Sequence, residues 1–123
     1  MTDSILRTRS KNFAKRIVLL CRVLRENRAD TILIDQLLRC GTSVGANIHE
    51  AQYAQGTKDF ISKFEIALKE CSESEYWLEL LHETGSISNE EFGSLRKDCI
   101  ELRRMIVSSV VTLKKKTESG QDR

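Results

Sequence analysis

Apolar residues recur at spacings of three and four in four stretches of this chain. The first runs over about 4–27, with Phe13, Ile17, Leu20, Cys21 and Leu24 in step. The second covers about 31–55 through Ile34, Leu37, Leu38, Val44, Ile48 and Ala51. The third covers 57–83 through Phe60, Phe64, Ala67, Cys71, Leu78 and Leu81. The fourth covers 89–115 through Phe92, Leu95, Cys99, Leu102, Ile106 and Leu113. This period brings one apolar stripe to one face of a helix; a strand would need alternation.

The breaks carry helix punctuation. Gly56 and Gly85 stand where a helix C′ residue belongs. Thr57 is placed to cap the third helix. Ser88 with Glu91 forms a capping box, and Ile87 with Phe92 a hydrophobic staple. The break at Asn27–Asp30 gives the weakest signal. Helices of about 25 residues, roughly 37 Å long, joined by short loops pack as neighbours. The expected fold is all-α, an antiparallel up-down-up-down four-helix bundle over 1–116. The remainder, 117–123, is expected to be a disordered tail.

Composition agrees. The 123 residues include no proline, six glycines and 6% aromatics, with 31% charged. No apolar run approaches 18 residues, so no membrane span is expected. The opening MTDSILRTRSKNFAKR has no apolar core and cleavage site. A cytoplasmic protein is the expectation. Cys21, Cys40, Cys71 and Cys99 form no CxxC pair and fall on or beside the stripes of four different helices. They read as small hydrophobes in a reducing compartment, not as zinc ligands.

Two features exceed what a plain bundle requires. Gly41 and Gly45 lie one turn apart inside the second helix, among Thr42, Ser43 and Ala46. A helical glycine costs roughly 1 kcal/mol against alanine, so this pair points to close approach of another helix. Ser43, Asn47 and Glu50 share one side of that helix and, if the second and third helices meet there, are expected to bond across to Glu70, Glu73 and Ser74, fixing register. The third helix also has apolar residues off its seam, Ile66, Trp77 and Leu80, with Tyr53 and Ile48 expected to flank them. Such a second face suggests self-association.

Charge is partitioned along the chain. Residues 1–28 carry +6, 29–49 carry −1, 50–91 carry −7 and 92–123 carry +4. The first and fourth helices are neighbours in an up-down bundle. Arg7, Arg9, Lys11, Lys15, Arg16, Arg22 and Arg25 are therefore expected to join Arg96, Lys97, Arg103, Arg104, Lys114, Lys115 and Lys116 in a basic zone. That zone suits a phosphate backbone, or the acidic third helix of another copy.

Catalytic patterns are weak. Glu79 and His82 have ExxH spacing, but there is no second ExxH for a di-metal bundle, because Ala46 precedes His49. GTSVG follows no strand and precedes no Lys-Ser/Thr pair, so it is no phosphate loop. Two histidines give no nucleophilic triad. No enzyme, metal or cofactor is expected.

RCGTSVGANIHEA and KDFISKFEIALKECSESEYWLELL carry a resemblance to a known family. They resemble the small four-helix bundles first noticed as open reading frames in intervening sequences of bacterial 23S rRNA genes, also labelled small-subunit ribosomal proteins. The matching positions are Arg39, Ser43, Val44, Asn47, Glu50, Ala51, Phe60, Ala67, Glu70, Glu73, Trp77 and Leu78. The resemblance implies an antiparallel bundle assembled as a ring-like homopentamer. Related accessory proteins of diversity-generating retroelements bind nucleic acid and a reverse transcriptase through a basic surface. The expectation is a non-enzymatic, oligomeric bundle that binds RNA or DNA through its first and fourth helices. Gly41, Gly45, Ser43, Asn47, Glu50, Ile66, Glu70, Glu73, Trp77 and Leu80 are expected in packing or oligomer contacts. A scaffold for a protein partner, without nucleic-acid binding, is the alternative.

Overall fold

Each apolar stripe becomes one buried face in a computed structural model that describes residues 2–120, with side chains from Ser4 onward. The helices are α1 (Thr2–Glu26), α2 (Thr31–Ala51), α3 (Thr57–Glu83) and α4 (Asn89–Glu118). Their cross-helix bonds give the directions. Arg7 on α1 reaches Gln52 just beyond α2, while Arg25 reaches Asp35 near the start of α2. Arg39 meets Glu70, and Glu50 meets Lys63, between α2 and α3. Arg96 meets Glu75, and Lys114 meets Glu65, between α3 and α4. Within each pair, residue numbers rise on one helix as they fall on the other, so neighbours are antiparallel. α1 also contacts α4, closing the square, and α1–α3 and α2–α4 lie on its diagonals.

The core is a column of fully buried side chains. Leu6, Phe13, Ile17 and Leu24 meet Ile34, Leu37, Val44 and Ile48, then Phe64, Leu78 and Leu81, then Leu95, Leu102 and Ile106. All four cysteines are buried and free of disulfides, one on each helix. Their thiols lie near backbone carbonyls: Cys21 near that of Ile34, Cys40 near that of Leu37 and Cys71 near that of Cys99. Burial pushes the Cys21 and Cys40 thiols up to about 11.

The termini of the helices refine the sequence reading. α1 ends in a Schellman motif, with Ala29 N–H donating to the Leu24 carbonyl and Arg28 N–H to that of Arg25, both at 3.0 Å. Arg28 takes the left-handed position, φ 58°, where glycine is the usual choice. This hides the turn from a composition-based reading. α3 closes the same way through Gly85, φ +87°. Gly56 is different: it is not the C′ residue of α2. α2 stops at Ala51 and unwinds through three-residue bonds from Gln52, Tyr53 and Ala54, short of the expected end near 55. Gly56 is instead the N-cap of α3, in extended backbone, which moves that role off Thr57. Ser88 caps α4 by accepting from Glu91 N–H at 3.1 Å, with Ile87 buried beside it. α4 continues past Lys116 to Glu118, so the expected tail boundary at 117 is too early; 121–123 lie outside the described residues.

The glycine pair faces α1. A Cβ on Gly41 would sit 2.9 Å from both γ carbons of Ile17, and one on Gly45 would sit 3.2 Å from the Ser10 carbonyl oxygen. Ser10 is itself buried, its hydroxyl donating to the Arg7 carbonyl. By contrast Gly93, on the outside of α4, has open space around it. In urea titrations Gly93→Ala should therefore gain roughly 0.5–1 kcal/mol of stability. Gly41→Ala should lose stability despite the same propensity gain, and Gly45→Leu should lose about 1–3 kcal/mol. Arg28→Gly should gain about 1 kcal/mol by relieving the left-handed residue. If Gly41→Ala stabilises as much as Gly93→Ala, the close-approach account fails.

Candidate functional site

The basic zone expected on α1 and α4 divides into paired and unpaired cations. Arg16 bonds Asp98 at 2.7 Å, and Arg9 lies 3.8 Å from Glu101, both across the α1–α4 seam. Arg25 bonds Asp35 on α2 at 2.6 Å. Arg96 and Arg103 converge on Glu75 of α3, and Lys114 bonds Glu65. These six are spent on interhelical pairing, and the continuous basic surface expected across α1 and α4 is not formed. Across the α1–α4 seam the pairing runs through α4's own carboxylates, Asp98 and Glu101, whose alignment with α1 depends on register.

The remaining cations have no acidic partner among the described residues. Lys11, Lys15 and Arg22 are spaced by four and seven along the exposed side of α1. Lys97, Arg104 and Lys115 are spaced by seven and eleven on the exposed side of α4, with Lys116 beside them. Such spacings return to nearly the same angle on a helix. The result is two outward ridges on adjacent helices, separated by a neutralised seam. Arg7 is held by an uncharged partner, the Gln52 side-chain oxygen, at 2.8 Å. Exposed apolar side chains on α1, Ile5, Leu19 and Val23, intervene between the charges.

A second polar cluster ties α2 to α3. Arg39 reaches both Glu70 and Glu73, and the Trp77 indole N–H donates to Glu73 at 3.0 Å. The Trp77 bond, aided by Arg39, holds the Glu73 carboxyl below its ordinary range. Arg39 was not among the expected site residues, because its two partners are legible only once α2 and α3 are in register. The roles expected of Ser43 and Asn47 are corrected. Ser43 donates to the Arg39 carbonyl and Asn47 to the Ser43 carbonyl, both within α2. Short side chains on a helix readily return to the preceding turn. Glu50 does cross to α3, but to Lys63 at 3.1 Å.

The surplus apolar face is smaller than expected. Trp77 packs partly against the core, edge-on to Tyr76 at 5.0 Å. Ile66 is 41% exposed and Tyr76 56%, with Leu80 half-buried. Ile48 is buried, and Tyr53 lies over the cleft between α1 and α2, so neither flanks this α3 face. His82, the candidate ligand of ExxH, shares a 2.6 Å hydrogen bond with the Asn89 side-chain oxygen and stacks on Phe92 at 4.3 Å. Among the described residues no cluster of three potential ligands could hold a metal ion.

The sequence and fold match known proteins. The family described as 23S rRNA-intervening sequence protein matches residues 2–108. A crystal structure from Bacteroides thetaiotaomicron, of a protein of unknown function from the S23 ribosomal protein family, is 43% identical. The match covers 89% of this chain and 98% of that one, with a TM-score of 0.86. No curated protein matches.

Glu75 gives the site a pH signature. Burial opposes its ionisation, but the bonds from Arg103 and Arg96 outweigh that and hold its carboxyl below the ordinary range. A depressed folded value means the pair stabilises above the unfolded value of about 4.3, and that this is lost as pH falls through the folded value. Denaturation midpoints taken downward from about pH 4.3 should fall steeply for the native chain and less steeply for Glu75→Gln. Parallel acid limbs for the two chains would remove Glu75 as a source of acid sensitivity.

Proposed function

This chain belongs to the 23S rRNA-intervening sequence protein family, and we propose that it is a non-enzymatic, self-associating bundle that binds RNA or DNA as an accessory factor. The observation that carries this reading is the pair of outward cation ridges, Lys11, Lys15 and Arg22 on α1 and Lys97, Arg104 and Lys115 on α4. Cations without carboxylate partners remain available to phosphates, and binding then releases counterions. The paired arginines hold the helices together and leave the ridges as the contact surface. No described helix is long and apolar enough to cross a membrane. A cytoplasmic location forms part of the same proposal. Self-association, as the ring-like homopentamer the resemblance implies, would cover Ile66, Tyr76 and Leu80 on α3.

A scaffold for a protein partner, such as a reverse transcriptase, is the second reading. The exposed Ile5, Leu19 and Val23 on α1 favour it, since apolar side chains among charges suit a protein surface.

Binding of a generic duplex should be measurable at about 50 mM salt and fall linearly on a log–log plot as salt rises. Lys97→Glu with Arg104→Glu should weaken it and flatten that slope, while Arg16→Gln should leave the slope unchanged. No binding at low salt, or a slope indifferent to the ridge substitutions, overturns the reading. Light scattering tests the assembly: a species of 14.1 kDa at high concentration would rule out self-association.

A further inference from the structure

A surface cleft lies between α1 and the end of α2, with a volume of about 710 Å³. That lies within the roughly 300–1,000 Å³ range of small-ligand sites. Its walls differ in chemistry. On the α1 side stand Arg7 and Lys11, one helical turn apart. On the α2 side stand His49 and Tyr53, their rings 5.7 Å apart and tilted by 59°. Gly45 and Ala46 line the cleft without any side chain beyond a methyl group.

The electrostatics favour an anion. Gln52 accepts from one terminal nitrogen of Arg7, which fixes the guanidinium, and its other N–H groups have no partner among the described residues. Lys11 has no acidic partner among the described residues. Glu50, the one carboxylate lining the cleft among the described residues, is engaged by Lys63 on α3. The α1–α4 groove makes the contrast: it is smaller, about 220 Å³, and Asp98 and Glu101 line it. A phosphate is therefore better placed beside Arg7 and Lys11 than in that groove. Tyr53 is 76% exposed, so its ring is open to a ligand entering the cleft.

We propose that this cleft holds one nucleotide unit of a single-stranded nucleic acid, its base stacked on Tyr53 and its phosphate held by Arg7 and Lys11. The inference rests on the nucleic-acid reading above and adds the strand type and the base-contacting residue. A base inside a duplex is already stacked and cannot lie on a protein ring, whereas a single strand offers free faces. The ridges on α1 and α4, both on the α1 side of the cleft, then follow the backbone, and the cleft supplies the aromatic contact.

The test uses the full chain and an oligothymidylate of about 12 residues. Tyr53→Ala should weaken its binding by about tenfold or more with the salt slope unchanged. Tyr53→Phe should retain binding, and Lys11→Gln should reduce the slope by roughly 0.7. Binding of a duplex should not respond to Tyr53→Ala. If Tyr53→Ala binds oligothymidylate as the native chain does, while the native chain keeps its salt-dependent affinity, this inference falls and the ridge reading stands. No binding of any nucleic acid at low salt removes both. Thymidine 5′-monophosphate binding as tightly as the oligomer would make this a free-nucleotide site and overturn the strand assignment. A changed oligomeric state in Tyr53→Ala with unchanged oligonucleotide binding would make the cleft a protein contact and overturn it equally.

Discussion

Two helices can approach at backbone distance only where one of them lacks side chains, and the contact of α1 with α2 at Gly41 and Gly45 obeys that limit. Ile17 occupies the space a Cβ on Gly41 would need, and the Ser10 carbonyl lies against Gly45. Interiors packed at crystal density leave little room for such contacts to slide. Position along α1 is thereby tied to position along α2. Arg7 then falls opposite Gln52 and Arg25 opposite Asp35, at the two ends of the same interface. The cleft beside Tyr53 is a product of the same constraint, since Gly45 lines it.

The remaining seams use charge where the first uses glycine. α2 meets α3 through Arg39 and the two glutamates, α3 meets α4 through Glu75 and two arginines, and α1 meets α4 through Arg9 and Arg16. Most of these groups are half exposed, so each adds little to stability and more to alignment. The net charge of +2 conceals this arrangement. A chain with 20 basic and 18 acidic residues could leave all its cations paired or many of them free. The structure takes a middle course and largely sorts them by facing: most of those toward a neighbouring helix are paired, and the ridges pointing away are not.

Much of the fold is legible without coordinates. The four apolar stripes specify four helices, and their capping residues place most ends within a residue or two. The ends of α2 and α4 are the exceptions: the backbone loosens behind Ala51 although the sequence pattern predicts helix to about 55, and α4 runs on to Glu118 beyond its last apolar position. The glycine pair also announces itself, since nothing else justifies the propensity loss. The candidate site is less legible. Charge sums place cations on α1 and α4 but say nothing of which will find carboxylates, because a shift of one residue in register would reassign every pair. The carboxylate partners of Arg39 are hidden for the same reason. Ser43 and Asn47 misled because their spacing suited a contact that their short side chains satisfy locally instead.

The cysteines give the bundle an unplanned set of internal reporters. Each helix holds one thiol, and each is sealed from solvent in the folded chain. A thiol sealed in the core reacts only when its surroundings open. The rate at which each of the four is labelled therefore measures how often that helix leaves its neighbours, in the native protein and without any substitution. A bundle that opens as one unit would expose all four at a common rate, and one that frays at the sparsely contacted α1–α4 seam would not.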